Sequence, residues 1–587
     1  MMIKNRNIIT LLIAGVLLFS CPLWGFALPK ITVSGIVTDT DGESLIGVNV
    51  QVKGTDKGTA TDIDGSYELN DVAEDATLVF SYIGYQTLEV LVDGQSTIDV
   101  SLTSDAELLE EIVVVGYGKQ KKANVIGSVT AISGSDIEAI PAPDLTNAIS
   151  GRLPGSVVMQ GSGEPGRNSA RILVRGRSTL GGAGQTSPLV VIDGIPNRSL
   201  NEIDPNDIES ISVLKDAAAA IYGSSAANGV ILVTTKSGTQ EGTRLNYQLY
   251  QGYLTPTILP EPAGAAQYAR YISDYQNYEG LSRLYSDRDI ELYENGNDPW
   301  EHPRTNWMDE LVRDWTTTSK HHLSLSGGSD NLSYFISAGF KNEEAFYAQE
   351  STNYKQYNLR ANVDVPINNW LTASVNYAGF ITDRKYPTTS TYQLVGWASL
   401  VVPTEPAFWP TGEPGPDFEG GVNPVVNSSF VAGYDELNNY KNQITLKTSI
   451  QPEFVPGLDI GAFYTLDLNN AYNKTFKKPW TLYYADWESA VRDADGFITR
   501  MDLQPRKRGL DSPELTDRYG RDINTMAQFH ANYSKSFDNH SFSMFGAFEQ
   551  FQVKSNGFNA YRKFFISDLV QTLGAGGGKR TKTMMGI

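Results

Sequence analysis

Five histidines have the widest chemical reach in this sequence: His302, His321, His322, His530 and His540. None stands in an HExxH or comparable ligand pattern, and the adjacent His321 and His322 point to opposite faces of any strand that carries them. They read as surface or wall side chains. No Gly-x-Ser-x-Gly is present, and Gly181-Gly182-Ala183-Gly184 lacks the lysine that a phosphate-binding loop needs. Asp62-Ile63-Asp64-Gly65 opens like a calcium loop, but the later ligands and the glutamate at the twelfth position are missing, so a hairpin turn is expected there. The one cysteine, Cys21, leaves the chain beyond it without a disulfide or a Cys-based metal site. The residues thus offer no catalytic set, no metal centre and no cofactor site.

Four arginines could act structurally. Arg152, Arg171, Arg175 and Arg177 lie in or beside short apolar strands, and a buried guanidinium needs carboxylate partners. Asp364 or Asp467 could supply them and so seat one domain in another. Solvent exposure of all four is the alternative.

The elements around these arginines form the centre of the chain. Short β-rich runs at Ser156–Met159, Arg171–Arg175, Leu189–Ile192, Ile208–Val213 and Gly229–Thr235 alternate with helix-like patches at Leu145–Ser150 and Lys215–Tyr222. Val and Ile fill the runs and Gly or Pro separates them, which predicts a small α/β domain. The stretch VVIDGIP followed by IESISVLKDAAAAIYGSSAANGVILVTTK resembles the plug of TonB-dependent outer-membrane transporters, and more narrowly the SusC/RagA-like branch.

Ahead of it, Lys4 and Arg6 precede an apolar run from Ile8 to Phe19, with Gly25-Phe26-Ala27 as a cleavage site. Residues 1–27 therefore read as a secretory signal, with lipidation at Cys21 as the alternative. Residues 31–102 carry period-2 strands at roughly ten-residue spacing, with Asp-Gly turns and no helix pattern, which predicts a small β-sandwich. The segment resembles the carboxypeptidase-regulatory-like domain of the same branch and contains no histidine. Residues 103–125 form a linker in which acidic residues lead into Ile112-Val113-Val114-Val115. That is a short strand with edges free to add to another protein's sheet. Pairing of these valines inside a neighbouring domain is the alternative.

After 126–238, the predicted plug, the texture changes. Residues 239–587 hold strands in which alternate positions are apolar: Leu332, Tyr334, Ile336, Ala338 and Phe340 against Ser333, Ser337 and Gly339, and Tyr357 to Val365 against Asn358 to Asp364. One side suits lipid and the other a wet lumen. Tight turns at Gly328–Asn331, Pro366–Asn369, Pro456–Gly457 and Asp538–His540 contrast with long polar excursions at Thr255–Thr318, Tyr386–Asn439 and Ala471–Asp522, and a shorter one at Asn342–Asn353. The 41% hydrophobic content, mean hydropathy of −0.27 and 30 tyrosines exclude a helical membrane bundle but admit a barrel. About nine strands are countable, whereas plugged transporter barrels close with about 22, so a fragment or truncated gene product is expected. A net charge of −20 argues against nucleic acid as a partner.

The expected class is mainly β: an N-terminal carboxypeptidase-regulatory-like β-sandwich, an α/β plug, and the first part of a transmembrane antiparallel β-barrel. The resemblance implies import of an oligosaccharide or peptide across the outer membrane of a Gram-negative bacterium. It also implies a SusD-like surface lipoprotein partner and a TonB-type energy transducer that pairs with a TonB box, placed at Glu111, Ile112, Val113, Val114 and Val115. Ligand contacts would come from Gly161–Asn168 with Ser178–Thr186, and from the loop around Trp397, Phe408 and Trp409. An exported non-transporting receptor or adhesin and an inactive truncated transporter are the alternatives. A secreted hydrolase has no supporting residues.

Overall fold

The structure, a computed structural model, describes residues 30–577 apart from 41, 56, 83–84, 86, 103–111, 116–117, 122–128, 141, 143, 178, 180–185, 240–241, 350–351, 419–420, 538–539 and 566. The expected signal (1–27), Glu111, the glycine-rich Gly181–Gly184 and most of the turn at Asp538–His540 lie outside the described residues.

The first domain is a two-sheet sandwich. Strands β1 (Lys30–Asp39), β4 (Ser66–Ala73) and β7 (Val100–Leu102) make one sheet in the order β4-β1-β7. Strands β2 (Asn49–Val52), β3 (Gly58–Ala60), β5 (Thr77–Ser81) and β6 (Leu88–Leu91) make the other, in the order β3-β2-β5-β6. Alternate residues Val33, Val37, Val50, Leu78 and Phe80 are buried in one cluster, with Tyr67 edge-on to Phe80 at 5.4 Å. The Asp62–Gly65 segment makes the expected tight turn, with Gly65 N–H donating to the Asp62 carbonyl (3.0 Å) and Asp62 N–H to the Ser66 carbonyl (2.9 Å), although the flanking β3 and β4 belong to different sheets. The Asp62 carboxylate accepts the backbone N–H groups of Asp64 (3.0 Å) and Ser66 (2.8 Å), an Asx turn that carries the chain from one sheet to the other.

Ile112–Val115 forms β8 and pairs with β9 (Gly118–Lys121) in a two-stranded sheet of its own. One edge of the valine strand is therefore engaged locally, and among the described residues neither the sandwich sheets nor the α/β sheet pairs with it.

The α/β domain is built on a five-stranded mixed sheet, β10-β15-β16-β13-β14. Its members are β10 (Val129–Ser133), β13 (Leu189–Ile192), β14 (Ile195–Pro196), β15 (Ile208–Leu214) and β16 (Val230–Thr235), while β11 (Ser156–Gln160) and β12 (Ala170–Val174) pair separately. β13 runs parallel to β16 and the other pairings are antiparallel. Ile137, Ile149, Ile208, Ile211, Val213 and Ile231 fill the core. Leu145–Ala148 is helical, capped by Asp144, whose carboxylate accepts Thr146 N–H at 2.8 Å. The second helix-like patch is instead a 3₁₀ run, Asp216–Ala226, broken at Gly223 (φ 62°, ψ −148°), a backbone conformation that glycine tolerates.

The rest is one large antiparallel sheet with its loops. Nine strands pair strictly in chain order: β17 (Arg244–Leu254), β18 (Thr316–Ser329), β19 (Leu332–Glu344), β20 (Asn353–Asn368), β21 (Leu371–Tyr386), β22 (Gly433–Ile450), β23 (Leu458–Lys477), β28 (Glu514–Phe537) and β29 (His540–Lys563). The sheet does not close; β17 and β29 are its edges. It is a partial barrel wall. Leu245, Leu249, Ile336, Leu359, Leu446 and Phe529 are exposed on one face, whereas His322, Ser337, Arg360, Asn362, Thr445 and Gln528 are buried on the other. Such alternation suits a sheet with hydrocarbon on one side and a polar interior on the other. No helix among the described residues is long and apolar enough to cross a membrane.

The strands run further than their apolar alternation suggests. β22 begins at Gly433, β23 ends at Lys477 and β28 begins at Glu514, so the polar excursions are shorter than 386–439 and 471–522. Nor are those excursions structureless. Helices Ala265–Tyr278 and Asp287–Asn295 lie in the excursion between β17 and β18, helix Thr391–Leu400 lies in the one after β21, and two small ribbons lie in the one after β23. One ribbon pairs β24 (Trp480–Ala485) with β27 (Leu503–Arg508), and the other pairs β25 (Val491–Arg492) with β26 (Ile498–Arg500).

Candidate functional site: the seat between the α/β domain and the wall

Two tight capped turns prepare the α/β domain for its contact with the wall. Ser199 caps the 3₁₀ turn Leu200–Glu202, and Asp204 caps Pro205–Asp207 by accepting Asn206 N–H at 2.9 Å. Asp193 sits at φ 53° in the turn between β13 and β14. These turns push a row of carboxylates, Asp193, Glu202, Asp204 and Asp207, toward the buried face of the wall.

The wall answers with cations from alternate positions of its strands. Lys320 Nζ lies 2.8 Å from Asp204. His322 Nε2 lies 2.8 Å from Asp207 Oδ1, and Arg360 Nε lies 3.4 Å from Asp207 Oδ2. Arg360 also reaches Asp193 at 3.7 Å, and Lys441 pairs with Glu202, to which Gln443 donates at 3.2 Å. Lys447 Nζ donates to the Asp193 carbonyl at 2.9 Å. Asp207 is 2% exposed and His322 1%, so neither side chain is open to bulk water. Burial alone pushes the Asp207 carboxyl up, but the His322 hydrogen bond and the charges of Arg360 and His322 outweigh it and hold it below the ordinary carboxylate range. Gly339 leaves room for this row, since a Cβ there would come within 3.1 Å of Asp204 Oδ2.

The seating by ion pairs was expected with the opposite polarity. Asp467 does bind an arginine, in a bidentate pair at 2.7 and 3.0 Å, but that residue is Arg198. Arg152, Arg175 and Arg177 are exposed, and Arg171 donates to Thr186 within its own domain. The physical reason is placement: those arginines sit on the β11–β12 ribbon and the segments flanking it, whereas the turns that meet the wall carry acids. His322 and Arg360 are the residues that sequence reasoning missed in this role. Their signal was present, because each occupies the non-apolar register of a wall strand.

The Gly161–Asn168 loop is tied to the wall as well. Asn168 Nδ2 donates to Glu343 at 3.1 Å, Gly166 N donates to it at 3.3 Å, and Tyr386 OH donates to the Pro165 carbonyl. Gly166 (φ 67°) lies against the Tyr354 ring, which a Cβ would approach to 2.4 Å. Between this loop, the Ser199–Glu202 turn and strands β19 to β22 lies a polar cavity of about 200 Å³.

The aromatic loop expected to meet ligand is largely a core. Trp409 is 5% exposed, stacks on Trp300 at 5.8 Å and donates from its indole N–H to the Tyr483 carbonyl at 2.9 Å. Trp397 and Phe408 pack around Trp307, Leu311 and Leu394. In the same loop assembly His302 bridges Asp298 (2.8 Å) and Asp289 (3.2 Å), and among the described residues no cluster of three or more His, Cys, Asp or Glu has metal-binding geometry.

With this geometry in hand, comparison with known proteins is informative. The TonB-dependent receptor plug domain family matches residues 121–230, and the CarboxypepD_reg-like domain family matches 33–114. TonB-dependent receptor P26 of Formosa agariphila is 33% identical over 476 residues, covering 78% of this chain and 45% of that protein. TonB-dependent receptor SusC of Bacteroides thetaiotaomicron is 33% identical over 435 residues, 72% of this chain and 40% of SusC. Among solved structures, the RagAB peptide importer in its open-open state superposes with a TM-score of 0.64 at 23% identity, over 81% of this chain and 52% of that one. The chain spans about half the length of the curated relatives it matches. A CarboxypepD_reg-like sandwich, a plug seated by ion pairs and an open wall of nine strands define a TonB-dependent receptor. Within that class the chain belongs to the SusC/RagA-like branch.

Proposed function

We propose that this chain takes part in TonB-dependent import of a large nutrient, an oligosaccharide or a peptide, across the outer membrane of a Gram-negative bacterium. The observation that carries the reading is the seat itself. A plug held to a wall by several separate ion pairs is a joint whose partners can part under a directed force and meet again in the same register. In this reading residues 1–27 direct export, 31–102 are an accessory sandwich, 103–125 hold the TonB box, 126–238 are the plug and 239–587 the wall. The transducer engages Glu111, Ile112, Val113, Val114 and Val115, adding a strand along an edge of the valine segment. A SusD-like lipoprotein delivers ligand from outside. SusC and the RagAB peptide importer support this partnership by likeness, and peptide and glycan both remain within the reading.

Deletion of Ile112–Val115 in the expressing bacterium tests it. Uptake is expected to cease while surface abundance stays unchanged. Undiminished uptake would move the chain to the class of non-transporting surface receptors.

A further inference from the structure

Two cations line the polar cavity, Lys341 and Arg384, and among the described residues only Lys341 has an ion pair. Lys341 pairs with Glu343 at 3.4 Å, Lys441 with Glu202, and Arg167 with Glu164 at 3.4 Å. Of the acids that line the cavity, Glu202 is taken by Lys441 and Gln443, and Asp144 caps its helix through Thr146. Arg384, projecting from β21 into the same cavity, stacks on the Tyr386 ring at 4.7 Å, with Arg167 over that ring at 4.8 Å. Its Nε is buried without a hydrogen-bond partner, and among the described residues no carboxylate lies within ion-pair distance of its guanidinium, Asp435 and Glu164 acting on it only from farther away. A guanidinium offers donors in a planar fork that matches a carboxylate in two parallel bonds. Leaving that buried Nε–H unmet next to a second guanidinium is unfavourable unless an acceptor arrives to meet it.

We infer that Arg384 and this cavity form a subsite for a carboxylate carried by the transported ligand, a uronate of a glycan or an acidic side chain of a peptide. The inference rests on the import reading of the lumen and adds the ligand's charge to it. The cavity, at about 200 Å³, falls below the roughly 300–1,000 Å³ of pockets that hold whole small ligands, so it takes one unit of a longer chain. Thr382 and Asn439, hydrogen-bonded to each other at 3.2 Å, line the same space and supply neutral polar groups around the guanidinium.

The test is titration calorimetry on the full chain in detergent micelles with two probe pairs. One pair is trigalacturonate and its fully methyl-esterified form. The other is a blocked Ala-Glu-Ala peptide and its Ala-Gln-Ala counterpart. In one pair the acidic member is expected to bind at least tenfold more tightly than the neutral one, and which pair does so identifies the source of the carboxylate. Arg384→Gln should erase that preference, and Arg384→Lys should keep part of it. Asn439→Asp, which brings a competing carboxylate into the cavity, should lower acidic binding without touching Arg384, and carries the test if Arg384→Gln fails to fold. Acidic and neutral probes binding alike, no binding of either acidic probe, or a preference that survives both Arg384→Gln and Asn439→Asp overturns the inference. Uptake and its dependence on Ile112–Val115 are measured separately, so this subsite can fail while the import reading stands.

Discussion

His322 of the second wall strand and Asp207 of the plug meet at 2.8 Å, both almost wholly buried, and Arg360 closes on the other carboxylate oxygen. Removing one member of a buried pair strands the other without solvent or partner, at a cost of about 3–5 kcal/mol. His322→Leu or Asp207→Asn alone should therefore loosen the plug, read as faster amide exchange across β15 and β16. The double variant should cost less than the sum of the two, because neither group is then left charged and alone. Additive effects would mean that the two side chains do not act as a pair.

The same pair sets an acid limit. Asp207 is held below the ordinary carboxylate range, so its stabilising contribution is fully present above the unperturbed value of about 3.9 and is lost as pH falls through the lower folded value. Plug melting followed by circular dichroism should show a decline beginning only below about pH 4. In His322→Gln the hydrogen bond that depresses Asp207 is weakened, so its folded value rises toward the unperturbed one, and the acid loss should be smaller and complete at a higher pH. Identical acid limbs in the two proteins would rule the assignment out.

The plug loop offers a steric test. Gly166 has φ 67° and faces the Tyr354 ring, so Gly166→Val meets both a backbone penalty of about 1 kcal/mol and a clash. The loop should detach from Glu343 and Tyr386, and a cysteine placed at Ser162 should label faster. Tyr354→Ala in the same background should restore part of the attachment, because it removes the ring and leaves only the backbone term.

The loops beyond the wall are expected to melt as a unit of their own. Trp409→Ala removes a buried ring stacked on Trp300 and should cost about 3–5 kcal/mol. Loss should be confined to the 255–315, 387–432 and 478–513 region. Limited proteolysis there should accelerate while the wall strands stay protected. General loss of strand signal would show instead that these loops hold the wall together.

Much of this was legible in the sequence because two periodicities differ. Val-Ile runs between glycines mark the buried plug strands β13, β15 and β16, and alternate apolar residues mark β19 and β20, where only one face meets an apolar surrounding. β18 is harder to see: its Thr316–Ser319 start has no apolar side, and His321 faces Tyr247 and Phe340 while His322 turns to Asp207. The upper parts of β22, β23 and β28 are invisible for the same reason, since Asn438, Asn439, Asn469 and Asn470 have polar surroundings on both sides. The seat was half legible. That charges would join plug to wall follows from burial, but which domain carries the acids depends on turns such as Ser199–Asp207 that pair only in three dimensions. The loop tryptophans show the converse, because an aromatic cluster in a polar stretch reads equally well as a binding face or a core.

The placement of β10 has a mechanical consequence. It is the edge strand of the plug sheet, bonded to β15 alone through five residue pairs from Val129–Leu214 to Ser133–Ser210. A tug on the chain ahead of Val129 thus reaches the sheet at its rim. It can unfasten those pairs one after another, like a zip opened from its free end, while the ladders joining β15, β16, β13 and β14 need not part before the fifth has gone.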